Sequence, residues 1–273
     1  MIQFLAVALP VVYLAVLLAY VHDFLAKSEN RHTRLRRTYF WLALALHAAY
    51  FAALSLSGEG VPAFHRLHFV SAVALTTGAL YGVVGEGRES TRQGRAGVGL
   101  FVVGLVFLMQ FVASAFAPLT VASHEQDPTF YFLHVGTLLL ASASLALSGT
   151  YGGLYLLLYR QMRTKEFGPL YRSLPSLSEL AALTRRASAF ACVLLFAGIN
   201  GGIWWAHARH VEGFSYDQPL VLIALFLSLH LAIVALSKRV PAMNPRRASI
   251  AATVGFGAFV VSLVWALVPG GFH

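Results

Sequence analysis

Eleven histidines in 273 residues are the side chains of this sequence best able to do chemistry, because neutral imidazole ligates transition metals and haem iron. His47 and His230 stand inside long apolar runs, where an ionisable group is costly unless paired and is a functional candidate by default. His47 lies ten residues after Arg37, and His230 eight before Lys238. At the helical rise those offsets correspond to ~15 Å and ~12 Å from the basic residues. Two histidines at similar depth on different helices can hold one metal or one haem from opposite faces. Each can equally bond a neighbouring helix backbone or hydroxyl. His134 opens another apolar run and His273 is the final residue. They can bring two neutral imidazoles to one iron only where their helices are neighbours. The alternatives are interfacial hydrogen bonding for His134 and a frayed terminus for His273.

The remaining histidines carry weaker signals. His65 with His68, and His207 with His210, are i,i+3 pairs suited to Zn²⁺ or Cu²⁺ if helical, but no cysteine or carboxylate cluster completes a closed site. His22 and His32 border a basic loop, where solvated roles fit them, and His124 lies near the opposite surface. Cys192 is the one cysteine, inside an apolar run where a thiol is packing material. A single cysteine excludes an intrachain disulfide, a CxxC redox pair and a C-x-x-C-H haem-attachment site within this chain. There is no Ser-His-Asp pattern, no P-loop and no G-x-G-x-x-G after a strand, so hydrolase and nucleotide chemistry find no support.

What must position these residues is a membrane bundle. Hydrophobic residues make up 58% of the chain and charged residues 11%, about half the charged fraction of a soluble domain, and the mean hydropathy is positive. Eight apolar runs are long enough to span the bilayer as helices, at roughly 2–21, 39–57, 67–85, 97–118, 130–158, 187–206, 218–237 and 249–269. The third is the weakest, diluted by Gly78, Gly82 and Gly85. A β-barrel would show short alternating segments instead. The expected fold is therefore all-α: a polytopic transmembrane bundle of about eight helices, residues 1–273 forming one integral membrane domain. Pro175-Ser176 with Glu179 three residues on reads as a capping box opening the sixth helix ahead of its apolar run. Short loops make consecutive helices antiparallel neighbours, and Gly198, Gly201 and Gly202 allow close helix approach.

The charge of +9 is a topology signal. All but Arg66 and Arg209 of the 20 basic residues fall in the loops after the first, third, fifth and seventh runs. The positive-inside rule places those loops in the cytoplasm, and an even span count then places both termini outside. Such alternation leaves little weight for a nucleic-acid partner; the lipid bilayer is the partner it describes. The first run lacks a basic n-region and is followed by basic residues, so it reads as a retained helix rather than a signal peptide.

The second half carries a resemblance. F-L-H-V-G at 132–136, L-P-S-L-S-E-L-A-A-L at 174–183, A-G-I-N-G-G-I-W-W-A at 197–206 and G-F-G-A-F-V-V-S-L at 255–263, ending in G-G-F-H, together resemble the membrane cytochrome c assembly family, which includes CcsA, CcmC and HemX/YpjD-like proteins. The likeness covers residues 130–273. In that family an outer tryptophan-rich loop, W-G-x-x-W-x-W-D-P, presents haem at the membrane surface between two outer histidines, and bundle histidines hold haem on its way across. By position the resemblance makes His134 the histidine before the loop, His273 the one after it, and His230 a bundle histidine. His47 is a partner for His230 on depth. Matching Trp205-Ala206 to the family's leading Trp-Ala puts Asp217 on the family aspartate. His210 and Val211 then occupy the W-G positions, Phe214 and Tyr216 replace later tryptophans, and Gln218 stands for the proline. An aromatic platform of Trp204, Trp205, Phe214 and Tyr216 remains, able to stack on a porphyrin, though Trp204 and Trp205 equally suit an interface belt. The altered loop points toward the HemX/YpjD-like branch.

The resemblance implies a haem-delivery protein of the bacterial inner membrane for c-type cytochrome biogenesis, holding b-type haem non-covalently and transiently. It implies a CcsB/ResB-type membrane subunit as partner and an apocytochrome c as the source of thioether-forming cysteines. Any catalytic part goes no further than a haem-lyase component. The alternatives are a HemX-like accessory protein that regulates haem synthesis or another membrane complex, and a transporter or metal permease using the outer histidines. Broken helices or repeated halves, the usual marks of transporters, are not evident.

Overall fold

Inside hydrocarbon every backbone N–H and C=O must be bonded within its own segment, so apolar runs of this length become helices. The computed structural model describes residues 2–25, 33–56, 66–85, 92–116, 128–165, 167–208 and 219–267. Their helices are α1 (Ile2–Leu25), α2 (Thr33–Leu56), α3 (Arg66–Gly85), α4 (Arg92–Phe116), α5 (Pro128–Thr164), α6 (Pro169–Ser173), α7 (Leu177–Ala208), α8 (Pro219–Ala235) and α9 (Pro245–Leu267). No strand occurs among the described residues. The eight expected runs coincide with all of these except the short α6.

Seven helices, α1 to α5, α7 and α9, are long and apolar enough to cross a membrane. The eighth run forms α8, of 17 residues. That is about 25 Å of helix, at the short end of what a span requires. By contrast α5 has 37 residues and α7 has 32, or about 55 and 48 Å, well beyond a ~30 Å hydrocarbon core. The excess lies at their basic ends, with Arg160 and Arg163 on α5 and Arg185 and Arg186 on α7. Ser176 stands immediately before Leu177, and Glu179 lies in the first turn of α7, where a carboxylate favours the exposed backbone N–H groups. The sequence cue for this helix start therefore marks the helix, and the apolar run marks only the part of it suited to lipid.

The described residues pack as two compact units. The first comprises Met1–His124 and Leu157–Ser176; the second comprises Glu125–Leu156 and Leu177–His273. In the first, α4 packs against α1, α3 and α6, and α2 against α1 and α3. Helix α1 shows why both faces of its sequence are apolar. Leu9, Tyr13, Val16 and Tyr20 are buried, while Phe4, Val7, Val11, Leu14 and Leu18 are exposed on the opposite side, as suits a helix with protein on one face and lipid on the other. Near the basic ends, Arg36 is buried, donates to Asp23 Oδ2 at 3.1 Å and lies over the Tyr20 ring.

In the second unit α7 packs against α8 and α9, and α8 against α9. Leu145, Ala191 and Leu231 centre its core, with Cys192, Leu195, Phe256 and Phe259 against them. Small residues on α5 let the helices close up: Ser148 Oγ lies 2.6 Å from Ser188 Oγ of α7, and Gly149 faces the Phe256 ring of α9. Cys192 donates to the Ser228 carbonyl at 3.4 Å, a packing contact.

Candidate functional site: the buried histidines

His47, on α2 of the first unit, is fully buried and bonded at both ring nitrogens. Tyr13 Oη of α1 lies 3.0 Å from Nδ1, and Ser71 Oγ of α3 lies 2.9 Å from Nε2. Ser71 donates its one hydroxyl proton to Gln110 Oε1 of α4 at 2.7 Å, and Gln110 Nε2 donates to Ser114 at 2.9 Å. That order fixes every role, since Ser71 has spent its proton and must accept from His47. His47 is therefore the Nε2–H tautomer, and its Nδ1 accepts from Tyr13. Phe51 stacks on the imidazole and Tyr13 meets it edge-on. One polar side chain from each of four helices closes a chain that satisfies an otherwise expensive interior histidine.

The second unit holds two histidines differently. His134, in the early turns of α5 and half-buried, donates from Nδ1 to the Gly198 carbonyl of α7 at 2.8 Å. Its ring lies on Gly202, where a Cβ would stand 2.6 Å from Cε1. His230 of α8 donates from Nε2 to the Ala251 carbonyl of α9 at 2.7 Å. Its ring lies on Gly255, where a Cβ would stand 2.8 Å from Cδ2, and Phe226 stacks on it. A carbonyl only accepts, so each bond fixes a tautomer: the lone pair stays on Nε2 of His134 and on Nδ1 of His230. A backbone carbonyl on the far nitrogen is the usual way a ligating imidazole is oriented.

The structure thus places His47 in the first unit and both His134 and His230 in the second. Trp204 is exposed near the end of α7, and Trp205 beside it is half-buried. His273, Phe214, Tyr216 and Asp217 lie outside the described residues, as do His32, His65, His124 and His210. Each i,i+3 pair is therefore described at one member only: His68 is buried on α3, and His207 is exposed on α7. His22 is exposed beside Asp23. Among the described residues no three His, Cys, Asp or Glu side chains gather around a possible metal. Sequence reasoning missed Tyr13, Ser71 and Gln110, whose only signal was a polar atom in an apolar run. It also missed the specific work of Gly202 and Gly255.

Comparison with known proteins bears on the family to which these helices belong. A family profile described as cytochrome C assembly protein matches residues 7–268, which takes in the first unit as well as the half that carries the quoted motifs. Protein HemX of Brevibacillus brevis is 25% identical over 224 residues, covering 80% of this chain and 79% of that protein. No solved structure matches significantly. Apolar helices that can cross a membrane several times, under a family match running nearly end to end, make this chain a multi-pass membrane protein of the cytochrome c assembly family.

Proposed function

We propose that this protein holds haem as cargo for c-type cytochrome maturation, at an outer site built on His134 and His273 and an inner site built on His230. The observation that carries the reading is His134. Its Nδ1–H is taken by the Gly198 carbonyl and its ring rests on Gly202, which orients the ring and makes Nε2 the unprotonated nitrogen, the neutral form of imidazole that ligates haem iron. This donor fits haem iron. Trp204 and Trp205, with Phe214, Tyr216 and Asp217, would form the platform against the ring system. His47 fits poorly: ligation would break two bonds of a sealed four-helix chain. In this reading it organises the first unit.

The basic ends of the helices face the cytoplasm of a bacterium, which puts His134 toward the outer face and His230 toward the inner one. Haem is then presented where an apocytochrome c can reach it, and that partner supplies the thiols. A CcsB/ResB-type subunit would receive the apocytochrome. The test is a visible spectrum of the detergent-purified protein, oxidised and reduced, for the wild type and for His134→Ala/His273→Ala. A low-spin haem spectrum lost in the double variant supports the reading; a wild type that takes up no haem, even from added haemin, defeats it.

The likeness to protein HemX and the tryptophan-poor loop favour a second reading, a membrane accessory protein that regulates haem synthesis and takes no part in assembly. A deletion strain separates the two. Loss of c-type cytochromes supports assembly, and intact cytochromes with altered haem levels support the accessory role.

A further inference from the structure

Asn200 stands on the wrong side of α7 for a polar residue of a membrane helix. It lies within the apolar run 187–206, about 9 Å of helix rise before Ala206, and it is exposed rather than turned into its unit. Its Nδ2 donates to the Phe196 carbonyl one turn earlier at 2.7 Å. That bond uses one of two amide protons. The other proton and the Oδ1 acceptor have no partner among the described residues. Hydrocarbon supplies neither a donor nor an acceptor, and polar side chains of membrane helices find theirs on a neighbouring helix.

The residues around Asn200 form a helix-pairing face. Phe190, Val193, Ala197 and Asn200 follow one another at spacings of three, four and three, and all are exposed. That is the seam of about 3.5 residues along which two helices pack. Phe190 and Val193, 67% and 68% exposed, give it bulk toward the middle of the span. Ala197 and Gly201 are small residues four apart, and a Cβ at Gly201 would meet nothing within 4 Å. A second backbone can therefore come close beside Asn200. One asparagine in such a seam fixes register and partner number.

We propose that this face of α7 is a self-association surface, occupied by α7 of a second copy of the chain. Copies in one membrane share one orientation, so a two-fold axis along the membrane normal brings both Asn200 side chains to the same depth. The carboxamide is self-complementary. Each Asn200 donates its second Nδ2–H to Oδ1 of the other, two reciprocal bonds that complete both side chains. A different membrane protein would have to present a donor and an acceptor together at that one depth; a second copy does so by symmetry. Such pairing requires only that α7 spans the membrane, and it is independent of any cargo.

The test uses the full-length protein with Cys192→Ser, reconstituted into phospholipid vesicles at a low protein-to-lipid ratio. Ala197→Cys, on the seam, should give a disulfide-linked dimer with copper-phenanthroline as oxidant, whereas Leu229→Cys, 63% exposed on α8, should not. Asn200→Leu should weaken association by roughly 10-fold, the order of two interhelical hydrogen bonds in a bilayer. Energy transfer between labelled copies on dilution with lipid measures it, and Asn200→Gln, which keeps donor and acceptor, should recover part of the loss. Leucine suits a lipid-facing surface, so Asn200→Leu should leave the unfolding midpoint in excess detergent unchanged. A lowered midpoint would make Asn200 a residue of the fold and overturn the inference. Equal cross-linking at both cysteines, or association unaltered by Asn200→Leu, overturns it too. Photo-cross-linking from Ala197→Cys in native membranes that captures another polypeptide and no second copy also refutes self-association.

Discussion

Replacing His47 by leucine tests the sealed chain in the first unit. Leucine is close to imidazole in volume, so little cavity opens, and the cost comes from polar groups left behind. The substitution removes the bonds to Tyr13 and Ser71, of 3.0 and 2.9 Å, and leaves two groups short of a partner beside a fully buried position: the Tyr13 hydroxyl proton, and the acceptor side of Ser71, which still donates to Gln110. Each stranded group costs about 1–3 kcal/mol. Interhelical hydrogen bonds measured in membranes sit lower, at ~0.6 and at most ~1.7 kcal/mol, because the unfolded chain finds other partners. Together these bounds place His47→Leu at about 2–4 kcal/mol. Tyr13→Phe removes one bond and leaves the acceptor Nδ1 exposed to nothing polar, about 1–2 kcal/mol. In the double variant the Tyr13 penalty disappears with its partner, so the two should couple by about 1 kcal/mol or more. The assay is a double-mutant cycle by reversible unfolding in detergent, with haemin titration of each variant alongside. Energies additive within ~0.5 kcal/mol would refute the chain. So would loss of haemin binding by His47→Leu at unchanged stability, which would make His47 a ligand after all.

Gly97→Ala should lower the unfolding midpoint sharply. The new Cβ would stand against the Ser173 carbonyl of α6, backbone that cannot swing aside, and overpacking of this kind costs about 1–3 kcal/mol or more. Thermal unfolding followed by tryptophan fluorescence measures it, and an unchanged midpoint would mean that α6 does not sit on α4. Asp23→Asn should cost about 3–5 kcal/mol by leaving the buried Arg36 charge without its partner; adding Arg36→Met should restore most of that, and failure of the second change to rescue would count against the pair. Topology is open to labelling. In a Cys192→Ser background, Arg163→Cys should react with a membrane-impermeant maleimide only in inverted vesicles, and reaction in right-side-out cells would reverse the assigned orientation.

Much of the fold was legible because lipid imposes a simple rule on sequence. The eight apolar runs all became helices, and Ser176 with Glu179 marked the true start of α7 ten residues before its run. Helix ends were less legible, since hydropathy reports where hydrocarbon begins and helices continue past it, as α5 does to Thr164. Among the glycines read as close-approach sites, Gly198 and Gly202 do face side chains of α5, while Gly201 meets nothing within 4 Å; three adjacent glycines look alike until the helix phase is known. The histidines were found by type and depth. Their partners were not, because Tyr13, Ser71 and Gln110 lie in three different apolar runs, and no spacing along the chain relates them.

Depth in the bilayer alone does not distinguish a ligand from a structural histidine. His47 and His230 were expected at similar distances from basic residues, yet their surroundings ask different things of them. A histidine that serves packing gains most when side chains take both nitrogens, because each bond offsets part of the cost of burial, and His47 has that arrangement in full. A histidine that must later hold iron gains from giving one nitrogen to a rigid backbone carbonyl, which orients the ring without competing for its second nitrogen. His134 and His230 have carbonyl partners on the neighbouring helix, and a glycine one turn further on makes room for each ring. Which nitrogen the carbonyl takes also fixes the tautomer, with the proton on Nδ1 of His134 and on Nε2 of His230.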